Sequence, residues 1–287
     1  MLRFRFFILT FACCLLLSGN RHGIAAGYQF SMLPRYSTEE IYKRITPLVD
    51  YLSRKTGLKI SATMTTTFDQ YTKSLTGGKV DIGFENPYIY VLASKSHEAV
   101  AMAVKGKHGD KFRGIIITAA GSPLRTLADL KGKKIAIVSY SSAGGYLSQK
   151  LSLLEKNINV TRDCQIEEAP ENKQENVVFS VFTGDVDAGF IRESALHKVD
   201  KFVPPGSIKV LAYTEWLPNW ALSLSRDMAV ADRKKIVKAI REIPSDSPVL
   251  RALRIKAFRP AQDSDYDVVR KAAGVPVPFA VEVKPAG

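Results

Sequence analysis

Residues 28–118 alternate short apolar runs with stretches in which apolar residues recur every three or four positions. The first pattern is typical of buried strands, and the second of helices that pack one face against a sheet. Ser37 with Glu40, and Thr67 with Gln70, have the spacing of capping boxes, which predicts helix starts at these residues. Ile45 and Leu48 lie on the apolar face of the first of these helices, and Gly57 is predicted to end it. The pattern predicts strands at Tyr28–Pro34, Leu58–Met64, Val80–Phe84, Val100–Val104 and Gly114–Thr118, with a short helix at Tyr88–Ser94.

The same alternation starts again after Pro123 and favours largely parallel sheets with helices on their faces. The pattern predicts helices at Leu124–Leu130, Ser142–Lys156, Asn172–Thr183 (with Asn172 and Glu175 as its cap) and Arg233–Ile243. It predicts strands at Lys134–Ser139, Gln165–Glu168, Val186–Ile191, Ile208–Tyr213 and Ala221–Ser225. The tail after Pro244 contains Pro248, Pro260, Pro276 and Pro278, and we expect it to be irregular and to lie along the surface.

One short pattern occurs twice, because the sequence at residues 77–84 (GGKVDIGF) is similar to that at 183–190 (TGDVDAGF). Each copy ends a helix at glycine, enters a strand with Val-Asp and finishes it with Gly-Phe. Polar residues follow both copies, Glu85-Asn86 in one case and Arg192-Glu193 in the other. Chance similarity is the alternative to a real repeat. If the repeat is real, two sheet edges face each other and form a cleft, since ligands of open parallel sheets bind at the carboxyl ends of strands.

The N-terminus has the three parts of a secretory signal: basic Arg3 and Arg5, an apolar run at 6–17, and small residues leading to Ala26. The apolar run is shorter than the roughly 20 residues that a membrane-spanning helix needs. We therefore predict that residues 1–26 are a cleaved signal and that the mature chain is periplasmic. An uncleaved anchor and a lipoprotein attached through Cys13 or Cys14 are the alternatives.

The net charge is a weak guide to the partner. The chain has 41 Lys and Arg against 28 Asp and Glu, and loss of Arg3, Arg5 and Arg21 with the signal leaves a net charge of +10. This charge is spread along the sequence, whereas nucleic-acid-binding proteins concentrate it on one face, so we expect no nucleic-acid partner. Diffuse positive charge fits attraction of a small anion, although a generally basic proteome explains it equally well.

The mature sequence contains no signature of an enzyme or a metal site. It has one cysteine, Cys164, and three histidines, His97, His108 and His197, without the spacing of a metal-binding pair. It also lacks a nucleophile elbow and a phosphate-binding loop. We interpret Cys164 as a buried packing residue, with a catalytic Cys164–His197 pair as the alternative. The sequence therefore predicts no enzymatic activity, no catalytic residue, no bound metal and no cofactor.

The strongest candidate for binding is a Ser/Gly-rich stretch between a predicted strand and the helix after it. We predict ligand contacts there from Tyr140, Ser141, Ser142, Ala143 and Gly144, where the free N–H groups of a helix start point outward. Such an end carries roughly half a positive charge and binds oxyanions with neutral donors. Ordinary helix capping by Ser141 or Ser142 explains the same residues equally well.

Other predicted strand ends also carry polar side chains, and helix capping would account for each one separately. Together they would line one cleft with hydrogen-bond donors, two cations and aromatic rings. Three or four charge-assisted hydrogen bonds, each contributing roughly 1.5–3 kcal/mol, would support a micromolar complex. The predicted ligand-binding residues in this group are Arg35, Tyr36, Thr67, Glu85, Asn86, Asn172, Arg192 and Glu193.

The stretch Ser141-Ser142-Ala143-Gly144 resembles the Ser-Thr-Ser-Gly loop of the periplasmic phosphate/phosphite/phosphonate-binding proteins of ABC importers. The resemblance extends, in order, over most of residues 28–245, and the ordered set is more specific than any single motif. Similar to that family are Val80–Phe84, Phe112–Ile117, Ser122-Pro123 with Leu127–Lys133, and Val186–Gly189.

The resemblance implies an α/β fold, the two-lobed clamshell of periplasmic-binding-protein type II. Each lobe would be a mostly parallel sheet flanked by helices. Lobe 1 would comprise residues 27–119 and 214–287, and lobe 2 would comprise residues 120–213. We expect the chain to cross between the lobes near Thr118–Gly121 and near Tyr213–Trp220.

Carried over by position, the resemblance implies that the Ser141–Gly144 loop binds the oxyanion. It places Tyr36 or Arg35, Glu85 and the Glu193 region around the rest of the ligand. The sequence departs from the family pattern at three places. Glu85-Asn86-Pro87 replaces an aromatic residue followed by glycine, Lys173 or a neighbour replaces a frequent histidine, and Ala143 replaces a hydroxyl. These departures leave the identity of the oxyanion open.

In function, the resemblance implies a monomeric binding protein that captures phosphate, phosphite or an organophosphonate. It would deliver this small anionic ligand to an ABC permease in the inner membrane. Asn86-Pro87 is also similar to sensor-type relatives that feed histidine kinases, so a sensor for an oxyanion is the alternative. An exported hydrolase or transferase on the same scaffold would need an activated nucleophile, which the sequence does not offer.

Overall fold

The computed structural model describes residues 27–275, so the predicted signal at 1–26 and the end of the tail lie outside the described residues. Strands β1–β11 form two sheets, and helices α1–α9 pack against them. The strands are β1 Tyr28–Met32, β2 Ile60–Ala62, β3 Ile82–Glu85, β4 His97–Val104, β5 Lys111–Ala119, β6 Lys134–Ile137, β7 Gln165–Glu168, β8 Ala188–Arg192, β9 Ile208–Pro218, β10 Ala221–Ser225 and β11 Ala257–Pro260.

The helices surround both sheets, and none between residues 27 and 275 is long and apolar enough to cross a membrane. The α-helices are α1 Thr38–Thr56, α2 Phe68–Thr76, α3 Pro87–Ala93, α4 Ser148–Leu154, α5 Val160–Asp163, α6 Gln174–Thr183, α7 Val230–Arg241, α8 Pro248–Leu253 and α9 Asp267–Ala273. Shorter 3-10 turns lie at Leu127–Leu130, Pro170–Asn172, Glu193–Val199 and Asp263–Tyr266, and a π turn at Ala143–Leu147.

Lobe 1 is built on a six-stranded sheet in the order β11-β4-β10-β3-β1-β2. Helix α1 buries Ile45 and Leu48 in the core of this lobe, on the apolar face that the sequence predicts. The ends of α1 are also where the sequence places them. Ser37 Oγ accepts a hydrogen bond from the N–H of Glu40, and Gly57 ends the helix with a left-handed φ of 71°, which favours glycine.

Lobe 2 is built on a five-stranded sheet in the order β7-β6-β8-β5-β9. Most strands of each sheet run in one direction, as the sequence predicts, but both sheets are mixed. The first strand after each crossing runs antiparallel to both of its neighbours: β5 lies between β8 and β9, and β10 between β3 and β4. Sequence periodicity identifies such a strand but carries no information about its direction.

The first crossing between the lobes is also earlier than the sequence predicts. The sequence predicts β5 in lobe 1, whereas in the structure it pairs with β8 and β9 of lobe 2. The chain therefore crosses between Val104 and Lys111 rather than at Thr118–Gly121. The run Ile115–Ile117 is apolar at every position and would fit the centre of either sheet. The second crossing consists of residues 219–220, between β9 and β10.

The repeated sequence pattern occupies equivalent places in the two lobes. Its strands, β3 and β8, each have one parallel neighbour (β1 or β6) and one antiparallel neighbour (β10 or β5). A Cβ added at Gly83 would lie 2.9 Å from Leu75, and one at Gly189 would lie 2.7 Å from Val177. Both copies therefore use glycine to let the preceding helix pack closely on the strand.

Residues 245–275 form regular elements, which corrects the expectation of an irregular tail for this part of it. Pro248 is the first residue of α8, where a missing N–H costs nothing. Pro260 ends β11, the edge strand of the first sheet, where proline is tolerated. These two prolines thus mark the ends of regular elements, whereas Pro276 and Pro278 lie outside the described residues.

An apolar cluster joins the two lobes directly. Tyr90 and Met102 of lobe 1 share it with Phe112 and Leu147 of lobe 2, and Tyr266 from the C-terminal segment packs among them. Tyr90 and Tyr266 are in ring contact, with centroids 4.6 Å apart. The lobes are therefore connected by packed side chains as well as by the two crossings.

Candidate functional site

The carboxyl ends of parallel strands from both lobes meet in one cleft. Arg35 follows β1, Asn86 follows β3, residues 138–144 follow β6, and Arg192 ends β8. Arg35, Asn86, Val138, residues 142–144 and Arg192 line a space between the lobes, here called the inner pocket. The other residues that line it are Phe68, Phe112, Asn172, Gln174, Glu175, Lys198 and Trp220.

The Ser/Gly-rich loop contributes Ser142, Ala143 and Gly144 to the inner pocket. Ser142 Oγ accepts a hydrogen bond of 3.1 Å from the N–H of Gly145, so this serine caps the helical turns that follow. Within residues 27–275, the N–H groups of Ala143 and Gly144 have no hydrogen-bond acceptor. Unpaired N–H groups at the start of a helix are suited to an oxyanion.

The two glycines of this loop permit close packing against lobe 2. A Cβ at Gly144 would lie 2.8 Å from the Phe112 ring and 3.2 Å from Cβ of Arg192, and one at Gly145 would overlap Val138. Gly145 also interrupts the predicted helix at Ser142–Lys156, which forms as the π turn followed by α4. The loop therefore lies directly against the guanidinium-bearing end of β8.

Arg192 is the most buried cation of the inner pocket, with 8% of its surface exposed. Its guanidinium lies 4.1 Å from the centre of the Phe112 ring, and its Nη2 donates a long 3.5 Å hydrogen bond to Asn219. Among the described residues, its Nε has no partner and no carboxylate pairs with it. Burial, and then the charge of Arg35, lowers the pKa of Arg192 to about 9.

A second space, here called the adjoining pocket, shares part of its lining with the inner pocket. Both pockets share Arg35, Arg192 and Trp220. Tyr36 lies in the adjoining pocket, with the guanidinium carbons of Arg35 and Arg44 at 5.0 and 4.1 Å from its ring centre. The structure thus brings the predicted residues Arg35 and Tyr36 into the cleft, where they meet further cations.

The two predicted asparagines both line the inner pocket while making structural hydrogen bonds. Asn86 caps α3 with its Oδ1, and its Nδ2 donates to the carbonyl of Ser141 at 3.2 Å, which connects the lobes across the cleft. Asn172 does not cap a helix as the sequence predicts. Helix α6 begins at Gln174, and Asn172 takes a left-handed φ of 54° while its Nδ2 donates to the carbonyl of Val138.

Five of the predicted ligand-binding residues line neither pocket: Thr67, Glu85, Tyr140, Ser141 and Glu193. Thr67 is exposed and caps α2. Tyr140 is half-exposed with its ring edge against Tyr146. The sequence places these residues at the correct edge of a sheet, but it does not determine the direction of each side chain.

The two carboxylates of this group have other partners. Glu193 forms a bidentate ion pair with Arg113, at 2.9 and 3.1 Å. Glu85 is fully buried inside lobe 1, where its Oε2 accepts a 2.8 Å hydrogen bond from Tyr71 and its Oε1 has no partner. Burial raises the pKa of Glu85 to about 7, although hydrogen bonds from Ser223 and Tyr71 favour its charged form.

Glu85 predicts a specific dependence of stability on pH. Its folded-state pKa of about 7 lies above the ordinary value of 4.5, so the folded protein holds this proton more tightly than the unfolded chain does. The resulting stability is present below pH 4.5 and is lost as the pH rises through 7, a change of about 3 kcal/mol. We expect Glu85→Gln to equal the wild type at pH 4 and to exceed its unfolding free energy by about 3 kcal/mol at pH 8.

Urea denaturation at a series of pH values measures this difference. The exposed Glu215→Gln variant is the control, and its profile should follow that of the wild type. Parallel profiles for Glu85→Gln and the wild type would contradict the assignment of a buried neutral acid.

Sequence reasoning missed several residues of the cleft. Gln174 accepts a 2.7 Å hydrogen bond from the N–H of Arg192, and Lys198 forms a 2.9 Å ion pair with Glu175. Lys105, which follows β4 directly, lines the adjoining pocket. Of these residues, only Lys105 could have been identified from the sequence, because it directly follows a predicted strand, as the predicted ligand-binding residues do.

The alternative chemistry at Cys164 has no geometric support. Cys164 is half-buried rather than fully buried, and its thiol donates to the carbonyl of Leu130 at 3.2 Å. Burial raises the pKa of this thiol, which disfavours the reactive thiolate. His197 is exposed and contacts Asp200 instead.

Comparisons with known proteins agree with this architecture. Residues 30–266 match the family model described as "ABC transporter, phosphonate, periplasmic substrate-binding protein". The chain is 22% identical to the phosphate-import protein PhnD of Mycolicibacterium smegmatis over 90% of its own length and 88% of that protein.

Two solved structures have the same fold. PhnD1 from Prochlorococcus marinus in complex with methylphosphonate has a TM-score of 0.73 and 13% identity, covering 86% of this chain and 97% of that one. A protein from Xanthomonas citri bound to ATP has a TM-score of 0.74 and 18% identity, covering 87% and 96%. The family match spans most of the described residues, and the chain therefore belongs to the periplasmic substrate-binding proteins of phosphonate ABC transporters.

Proposed function

We propose that this protein captures a phosphoryl oxyanion, namely phosphate, phosphite or an organophosphonate, and delivers it to a membrane permease. The observation that carries the proposal is the pairing of Arg192 with the loop. A buried guanidinium without a carboxylate partner and the unpaired N–H groups of Ala143 and Gly144 belong to residues that line the same inner pocket. This combination of a cation and neutral donors is suited to several oxygens of one anion.

The relatives support a phosphoryl ligand. The Mycolicibacterium smegmatis relative is named for phosphate import, and the Prochlorococcus marinus structure contains methylphosphonate. Members of the family are substrate-binding components of transporters and not enzymes. Binding needs no covalent step, since contacts that form only when both lobes touch the anion are sufficient to favour the closed state.

Substitutions in the loop test the proposal. Ser142→Ala should weaken binding by about tenfold, because one hydrogen-bonding group is worth roughly 1.5 kcal/mol. Gly144→Val should weaken binding at least 100-fold, because its side chain would displace Phe112 and Arg192. The matched controls are Ser141→Ala, which lies outside both pockets, and Gly121→Val, whose added Cβ meets no atom within 4 Å.

A thermal-shift series with phosphate, phosphite, methylphosphonate and sulfate provides the measurement. A ligand at 100 times its Kd adds about 2.7 kcal/mol, which for a chain of this size raises Tm by about 5–10 °C. We expect this increase for the wild type and both controls, and not for Gly144→Val. If no phosphoryl compound shifts the wild type, or if both loop variants bind like their controls, the proposed function is wrong.

A further inference from the structure

The adjoining pocket concentrates positive charge around one aromatic ring. The guanidinium carbons of Arg35 and Arg44 lie 5.0 and 4.1 Å from the centre of the Tyr36 ring, and Nζ of Lys198 lies 5.8 Å from it. Burial alone would raise the pKa of Tyr36, yet these cations and Lys105 lower it to about 8. The charges therefore act on a common space that a ligand could enter.

Two of these cations are already paired, and the others are not. Arg44 forms an ion pair with Glu40 at 2.7 Å, and Lys198 pairs with Glu175. Among residues 27–275, Arg35, Lys105 and Arg192 form no ion pair with a carboxylate. No carboxylate lines the adjoining pocket either.

The number of unpaired charges exceeds what one phosphoryl group can neutralise. A phosphonate or phosphate monoester carries at most two negative charges, whereas Arg35, Arg192 and Lys105 carry three positive charges. Arg35 and Arg192 line both pockets, and Lys105 lines only the adjoining one. With the phosphoryl group in the inner pocket, Lys105 is left facing whatever the ligand places in the adjoining pocket.

We propose that the natural ligand is an organophosphonate with a second anionic group, which Lys105 binds in the adjoining pocket. The inference rests on the proposed function and adds the substrate class. A ligand tail with an ammonium group would lie beside the positive charges of Lys105 and Arg35, and no protein carboxylate among the residues lining the adjoining pocket would neutralise it. Such ligands are therefore disfavoured. The remaining wall is apolar, with Met32, Phe84 and Ile255, and suits a short carbon linker.

The position of Lys105 suits a residue that selects ligands. It stands directly after β4, at the start of the first crossing, and its N–H donates to the carbonyl of Gly109 at 2.7 Å. Burial, and then the nearby cations, lowers its pKa to about 8 although Tyr36 opposes this. A second anionic group on the ligand, placed beside Lys105, would offset the repulsion between its ammonium group and the nearby arginines.

Three probes of similar size separate the alternatives by calorimetry on the wild-type protein. Ethylphosphonate has a neutral tail, phosphonoacetate has a carboxylate, and 2-aminoethylphosphonate has an ammonium group. We expect phosphonoacetate to bind at least tenfold tighter than ethylphosphonate, and 2-aminoethylphosphonate at least tenfold weaker. Lys105→Met should reduce the preference for phosphonoacetate over ethylphosphonate to less than threefold.

The control is Lys107→Met, which removes an exposed lysine from the same crossing and should keep the wild-type preference. If ethylphosphonate and phosphonoacetate bind the wild type equally, or the ammonium compound binds as well as either, the inference is overturned while the proposed function stands. If neither these compounds nor phosphate bind, both fail. The wild-type series decides the matter even if Lys105→Met does not fold.

Discussion

Replacement of Arg192 by methionine is expected to weaken methylphosphonate binding by at least 100-fold and to leave the unliganded protein at least as stable as the wild type. The guanidinium supplies charge-assisted hydrogen bonds, and loss of two of them costs about 3 kcal/mol or more of binding free energy. In the unliganded protein, the same group is buried without a carboxylate partner. Methionine fills similar space without that desolvation cost.

Calorimetry measures the Kd for methylphosphonate, and urea denaturation without ligand measures the unfolding free energy. Arg113→Met is the matched control, because this arginine is partly exposed and already paired with Glu193. The control should bind methylphosphonate as the wild type does. A binding constant for Arg192→Met within threefold of wild type, or a loss of about 3 kcal/mol in its unfolding free energy, would contradict the assignment.

Replacement of Arg270 by methionine should have the opposite signature, with a large loss of stability. Arg270 is fully buried and pairs with Asp267 at 2.7 Å and with Asp263, whose carboxylate also accepts a hydrogen bond from Tyr90. Removing one partner of a buried pair costs about 3–5 kcal/mol. Because the two carboxylates are partly exposed, we expect a loss of about 2–3 kcal/mol.

Urea denaturation measures the effect of Arg270→Met, with the exposed Lys271→Met on the same helix as control. Under folding conditions the variant should still bind methylphosphonate, because Arg270 lines neither pocket. A stability change below 0.5 kcal/mol would show that the pair contributes nothing net. Such a result is common for exposed ion pairs.

Local sequence signals identified most elements because their causes are local. Ser37, Thr67 and Gly57 act at helix ends in the structure as predicted, since a cap needs only its own turn. Strand β10, Ala221–Ser225, has the predicted bounds because its apolar run is sharply limited. Asn172 is the exception, because its side chain prefers a distant carbonyl, that of Val138, to the helix start.

The parts that the sequence did not reveal depend on contacts between distant residues. The direction and sheet of β5 depend on its neighbours, and α9 depends on packing against residues of both lobes. Glu85 stands at the predicted strand end but turns inward to Tyr71. Lys105 is recognised as a candidate ligand-binding residue only in the folded structure, where Arg35 and Arg192 from other segments line the same pocket.

The strand order of the first sheet determines which lobe can fold first while the chain is being synthesised. All strands of the second sheet lie between Lys111 and Pro218, so that half becomes whole from one continuous stretch. In the first sheet, β10 fills the gap between β3 and β4. The sheet of lobe 1 therefore lacks a central strand until Ser225 has been synthesised. Lobe 2, although it starts later in the chain, can complete its sheet first.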